Sequence, residues 1–138
     1  MFTDASLEGW AATIINEQPL KVSIFFGSWL DEKHENPHSI PHINVLESMA
    51  FLLGCQRLPC ASPNGEIIIF IDNTTVVASI EKQYSANFRT NETTRTALQV
   101  LAEKGYVAHR VRWVDSIRNL ADHFTRMSAF RVHEKTGI

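Results

Sequence analysis

Apolar and polar positions change rhythm along this chain. Gly9-Trp10-Ala11-Ala12-Thr13-Ile14-Ile15 and Leu20-Lys21-Val22-Ser23-Ile24-Phe25-Phe26 are rich in β-branched and aromatic residues and flank turn chemistry at residues 16–19. That pattern predicts two strands joined as an antiparallel hairpin. Residues 1–5 predict a further strand before them, ending at or holding Asp4. Residues 28–42 are polar, and Pro37 and Pro41 oppose helix there. From Asn44 the period lengthens: Val45, Leu46, Met49, Ala50, Leu52 and Leu53 form an apolar stripe at helical spacing, closed by Gly54 and Pro59. Asn44-x-x-Glu47 has the spacing of a capping box. After a turn at Pro63-Asn64-Gly65, Ile67-Ile68-Ile69-Phe70-Ile71 reads as a strand buried on both faces. Helices follow to about Gln83 and over residues 92–104, with residues 84–90 irregular and Gly105 as the stop. Val107, Val111, Trp113 and Val114 predict another strand. Ile117, Leu120, Ala121, Phe124, Met127 and Phe130 predict a last helix.

The resulting order is β-β-β-α-β-α-α-β-α. Short turns first and helical connections later predict an α/β chain with a mixed five-stranded sheet. Its first three strands are antiparallel, the remainder parallel, and helices cover both faces. No repeat, low-complexity run or linker divides the chain, so residues 1–138 are expected to form a single domain.

Composition narrows the class. No apolar run approaches the roughly 20 residues of a membrane span, and the first residues lack the pattern of a signal peptide. An intracellular location, cytoplasmic or nuclear, is expected. Cys55 and Cys60 have no partner pair in zinc-site register and read as free thiols. Net charge is -2, yet residues 1–72 hold 3 Lys+Arg against 9 Asp+Glu, and residues 73–138 hold 10 against 6. Such an asymmetry permits an acidic metal site beside a basic surface that meets phosphates, although taken alone it reads first as ordinary solvated charge.

The candidate chemistry lies in carboxylates. Asp72 ends the most apolar strand, where ligands of α/β sheets bind; it is also well placed to cap the next helix. If the first and fourth strands are parallel neighbours, Asp4 and Asp72 emerge side by side, and the helices bearing Glu47 and Asp122 are able to close around them. Four clustered carboxylates repel one another unless cations intervene. Mg²⁺ or Mn²⁺ are the hard cations such oxygens favour. The competing reading is four unrelated surface or capping acids. His34, His38 and His42 recur at four-residue spacing, but the prolines among them favour a solvated loop over a metal-binding helix face.

Four blocks carry a family resemblance. Phe2-Thr3-Asp4-Ala5-Ser6 with Gly9-Trp10-Ala11, and His42-Ile43-Asn44-x-x-Glu47-x-x-Ala50, resemble the opening and first-helix motifs of retroelement ribonuclease H domains. Ile71-Asp72-Asn73-Thr74-Thr75-Val76-Val77-Ala78-x-Ile80-x-Lys82-Gln83 is similar to the ribonuclease H domains that follow reverse transcriptase in tyrosine-recombinase retrotransposons. Val111-x-Trp113-Val114-x-Ser116-x-x-Asn119-x-Ala121-Asp122-x-x-Thr125-Arg126 resembles the closing motif. The resemblance implies a ribonuclease H-like fold and hydrolysis of the RNA strand of an RNA–DNA hybrid. It implies two Mg²⁺ ions, with Mn²⁺ as a substitute, held by Asp4, Glu47, Asp72 and Asp122, and an upstream reverse transcriptase domain as a partner in the same polyprotein. Ser6, Asn73, Thr74, Thr75, Arg118 and Asn119 are the substrate-binding candidates, with Arg110, Arg112 and Arg126 as further phosphate contacts. The chain departs from the family in three places. No histidine lies between Trp113 and Asn119, Asp115 stands where relatives often have Pro, and only three residues precede Asp4. A catalytically weak or inactive ribonuclease H-like binding module is the alternative.

Overall fold

Residues 1–17, 20–29, 42–63, 65–122 and 125 are described by the computed structural model. Turn chemistry brings the first strands together. β1 (Phe2–Ala5) pairs antiparallel with β2 (Gly9–Glu17), and β2 pairs antiparallel with β3 (Leu20–Ser28). Helix α1 (Ile43–Arg57) then crosses to β4 (Gly65–Ile71). The segments α2 (Thr74–Lys82) and α3 (Phe88–Glu103) lead on to β5 (Tyr106–Trp113). β4 lies parallel to both β1 and β5, giving the sheet order β3-β2-β1-β4-β5. The mixed sheet is as the residue pattern predicts.

The three helices pack on one face. Ile67, Ile69 and Ile71 of β4 and Val111 of β5 point there, against Phe51 and Cys55 of α1, Val76, Val77 and Ile80 of α2, and Ala97 and Leu101 of α3. The other face of the sheet bears Phe2 stacked on Phe70, ring centroids 4.6 Å apart. Leu120 and Thr125 reach this second face. Thr13 Oγ1 donates to the Leu120 carbonyl, and Thr13 pairs with Phe2 across β1 and β2.

Several expectations are corrected. β4 is not buried on both faces: Ile68 is 43% exposed and Phe70 half-buried. Only its odd-numbered residues meet the helices, because successive side chains of a strand point to opposite faces. Helix α1 is capped by His42, whose Nδ1 accepts from the Asn44 N–H, so the capping box on Asn44 does not form. Gly54 does not stop α1. It lies inside the helix where α1 touches the sheet, and a Cβ there would stand 2.9 Å from Met1 Sδ and 3.1 Å from Thr3 Cγ2. The helix ends instead after Arg57, with the Leu58 N–H on the Cys55 carbonyl and the Lys104 ammonium on the carbonyls of Gln56 and Leu58. Helix α3 begins at Phe88, four residues before its predicted start, because Asn87 accepts from the Thr90 N–H and caps it. Ile117 lies in a turn and is 96% exposed, so the last stripe does not begin on a helix; Asp122 and Thr125 are helical. His34, His38, Phe124, Arg126, Met127 and Phe130 lie outside the described residues.

Candidate metal centre

Strand pairing creates the site. β1 and β4 run parallel with Thr3 opposite Ile71, so Asp4, still within β1, and Asp72, just past β4, come side by side at the carboxyl end of the pair. Glu47, in the second turn of α1, reaches the same place. One oxygen from each of Asp4, Glu47 and Asp72 lies within 4.8 Å of the others. Asp4 and Glu47 are both 4% exposed, while Asp72 is half-buried. Asp122 stands outside this trio but lines the same cleft of about 350 Å³, together with Ser6, Glu8 and Thr125. All four carboxylates singled out in the sequence therefore reach one cleft.

Asp72 does not cap α2. Asn73 does, through Oδ1 on the Val76 N–H at 3.0 Å. The other end of that amide donates to Asn44 Oδ1 at 2.8 Å. This amide bridge fastens the first turn of α1 to the junction of β4 and α2. It holds the elements carrying Glu47 and Asp72 at a fixed separation.

The electrostatics follow from burial. Glu47 is pushed up to about 10, first by burial and then by the charges of Asp4 and Asp72. Asp4 is raised to about 7 by burial and by Asp72, against the hydrogen bond from Thr125, which draws it down. Asp72 is raised as well, by burial and then by Asp122. With the carboxyls ionised, Glu47 Oε2 is buried and meets no hydrogen-bond donor among the described residues. An orphaned carboxylate oxygen is costly unless a ligand satisfies it. A set of oxygen donors, three of them converging and one unsatisfied, fits a small divalent cation such as Mg²⁺ or Mn²⁺.

The remaining sequence candidates have different surroundings. Ser6 Oγ accepts from the N–H groups of Glu8 and Gly9, both at 3.2 Å, and shapes the β1–β2 turn at the cleft rim. Thr74 and Thr75 are exposed at the start of α2. Arg118 is exposed and lies 3.6 Å from Asp115. Arg110 pairs with Glu66 at 3.3 Å. Asn119 is 4% exposed; its amide nitrogen donates to the Thr3 carbonyl, and its oxygen accepts from the Ala121 N–H. That amide is spent inside the protein, joining β1 to the segment that carries Asp122.

Two cleft residues escape sequence reasoning. Glu8 adds a fifth carboxylate to the lining. Its only signal was an acid in the turn that follows Asp4. Thr125 donates to Asp4 Oδ2 at 2.9 Å and is 3% exposed. Its three-residue offset from Asp122 places it on the same helical face, a weak signal taken alone.

No family profile matches this chain, and no curated protein matches it in sequence. Solved structures do. RNase H1 from the halophilic archaeon Halobacterium salinarum superposes with a TM-score of 0.70 at 10% identity, over 94% of each chain. The N-terminal RNase H domain of a Mycobacterium tuberculosis protein, solved as a fusion with maltose-binding protein, gives 0.65 at 13% identity over 95% of this chain and 94% of that one. The fold is ribonuclease H-like. Among the described residues no helix is long and apolar enough to cross a membrane.

Proposed function

We propose that this chain is a divalent-metal-dependent ribonuclease H that cleaves the RNA strand of RNA–DNA hybrids. The observation that carries the reading is the convergence of Asp4, Glu47 and Asp72 within 4.8 Å at the carboxyl ends of two parallel strands, with no donor to ionised Glu47 Oε2 among the described residues. Asp4, Glu47 and Asp72 would hold one cation, and Asp4, Asp72 and Asp122 a second. Such ions supply a water activated for attack at neutral pH and charge stabilisation for the leaving oxygen. The protein's own part is to fix the carboxylates rigidly, on β1, α1 and β4, and to keep Asp4 and Glu47 out of bulk water. Thr74 and Thr75, exposed at the N-terminus of α2, are placed to meet a backbone phosphate. A hybrid would be distinguished from DNA by its minor-groove shape and 2′-hydroxyls. The sequence motifs support placing this activity in a retroelement reverse transcriptase of the tyrosine-recombinase type.

The test is cleavage of an end-labelled RNA–DNA hybrid in Mg²⁺ and in Mn²⁺. Wild type is expected to cut the RNA strand internally, and Asp72→Asn to lose at least about a hundredfold of that rate while its unfolding temperature in EDTA is no lower than that of wild type. Magnitudes of this order follow when a ligand that shapes the reacting charge is removed. Folded wild-type protein that leaves the hybrid intact in both metals would refute the proposal.

One observation favours a second reading. The segment between Trp113 and Asn119 has no histidine, and its exposed Arg118 is paired with Asp115. A non-catalytic module would bind the hybrid with a salt-dependent affinity and show no turnover.

A further inference from the structure

We propose that Thr125 is a positioning residue that selects which oxygen of Asp4 is offered to the cation. This rests on the metal-centre reading above and adds to it a residue that touches neither ion nor substrate.

The argument is geometric. Asp4 is buried, and its Oδ2 accepts from Thr125 Oγ1 at 2.9 Å. The same hydroxyl lies 2.7 Å from the Asp122 carbonyl. A hydroxyl has one hydrogen to give. Directed at an ionised carboxylate, it makes a charge-assisted bond, stronger than the one it makes to a neutral carbonyl. Ionised Asp4 therefore holds the hydrogen, one lone pair of Oδ2 is taken, and Oδ1 becomes the more electron-rich oxygen for the cation. The donor is neutral, so it steadies the carboxylate without competing with the cation for it, as a lysine or arginine would.

The bond also spans the fold. Asp4 is on β1, whereas Thr125 is one helical turn beyond Asp122. Asn119 makes a second tie between the same two segments through the Thr3 carbonyl at 2.9 Å. Together these bonds on either side of Asp122 fix its distance from Asp4. Without the hydroxyl, repulsion among Asp4, Asp72 and Asp122 is free to rotate the Asp4 side chain before a cation arrives. Groups that orient metal ligands in this way are worth roughly 10–100-fold in metal affinity.

The experiment is Mn²⁺ binding to the whole chain, followed by electron paramagnetic resonance of the free ion and by calorimetry. Thr125→Val keeps shape and removes the hydroxyl; Thr125→Ser restores it. The expected result is about tenfold weaker binding in Thr125→Val, near-wild-type binding in Thr125→Ser, and similar circular dichroism in all three. Thr125→Val binding Mn²⁺ as tightly as wild type would overturn the proposal. Wild type that binds no Mn²⁺ would overturn it and the metal-centre reading together. Wild type that binds Mn²⁺ yet leaves hybrids uncut would remove the nuclease reading and leave the positioning role intact. If Thr125→Val does not fold, NMR of Mg²⁺-loaded wild type decides: a Thr125 hydroxyl proton with a scalar coupling to the Asp4 carboxyl carbon supports the bond, and one coupled to the Asp122 carbonyl carbon, or to neither, overturns it.

Discussion

Glu47 concentrates the tension of the site in one side chain. It is buried beside two other acids, and one of its oxygens meets no hydrogen-bond donor among the described residues. Removing its ionisable carboxyl should therefore help the metal-free protein, which otherwise must keep that group protonated, and harm metal binding. Glu47→Gln is expected to match or exceed the wild-type unfolding temperature in EDTA and to lose the shift that Mg²⁺ produces. The pH dependence has a definite sign. Asp4 and Glu47 are raised from 3.8 and 4.5 to about 7 and about 10. Below pH 4 folded and unfolded chains both hold these protons. Above it the unfolded chain releases them first, so metal-free stability falls as pH rises, through Asp4 to about pH 7 and through Glu47 to about pH 10. A buried Met1 amine, lowered to about 6, acts in the opposite sense between pH 6 and 8. The clean window is thus pH 4.5 to 6, where thermal unfolding in EDTA should weaken with pH, and less steeply in Glu47→Gln. A wild-type unfolding temperature that climbs across this window would contradict the assignment. The residue scale is also where the sequence was most opaque. Asp72 and Glu47 each had a capping role as a rival, and only the positions of Asn73 and His42, which take those caps, separate the two roles. Glu8 gave no readable pattern, and Thr125 showed only as a member of the closing motif and not as a partner of Asp4, since their closeness to Asp4 depends on a turn and on a packing contact across 121 residues.

Elements were legible where their signal was local. The strand runs around Trp10 and Phe25 and the apolar stripe of α1 depend on neighbours a few residues away. Helix ends depend on single side chains. Asn87 caps α3 with a bond that propensity alone did not distinguish from a turn. Gly54 has the residue type of a helix terminator, but α1 uses it as a flat spot against β1 and β2. Gly54→Ala should therefore destabilise, by about 1–3 kcal/mol as overpacking generally does, although alanine is the better helix former. Urea unfolding measures this, and an unchanged or raised midpoint would show that the sheet gives way. The end of α2 makes the opposite case. Gln83 has φ 55° and ψ 28°, the left-handed conformation that glycine adopts without cost. Gln83→Gly is expected to gain about 0.5–1 kcal/mol in the same assay, given the penalty of that conformation for a residue with a Cβ.

At the scale of the molecule, the cleft is built mainly by the acidic first half of the chain, and the second half adds Asp122 and Thr125 to it. Asp4, Glu47 and Asp72 all belong to the acidic half, and only Asp122 among the four comes from the other. The order of strands was readable because hairpins and crossovers leave few arrangements. The depth of the site was not, because burial of Asp4 and Glu47 depends on how closely α1 approaches β1. A cation that binds the folded chain alone raises its stability by mass action. Millimolar Mg²⁺ at pH 8 should raise the unfolding temperature of wild type and leave that of Asp72→Asn nearly unmoved, which differential scanning fluorimetry would register. The pairing that makes the cleft has a further consequence in time. β1 is four residues long and meets β4 through two rungs, Phe2 with Phe70 and Thr3 with Ile71, between residues 68 apart in the chain. Contacts so distant form late, after hairpins and helices have shortened the loop between them. Capture of Mn²⁺ during refolding should then coincide with the slowest phase of tryptophan fluorescence, making the ion a clock for completion of the sheet.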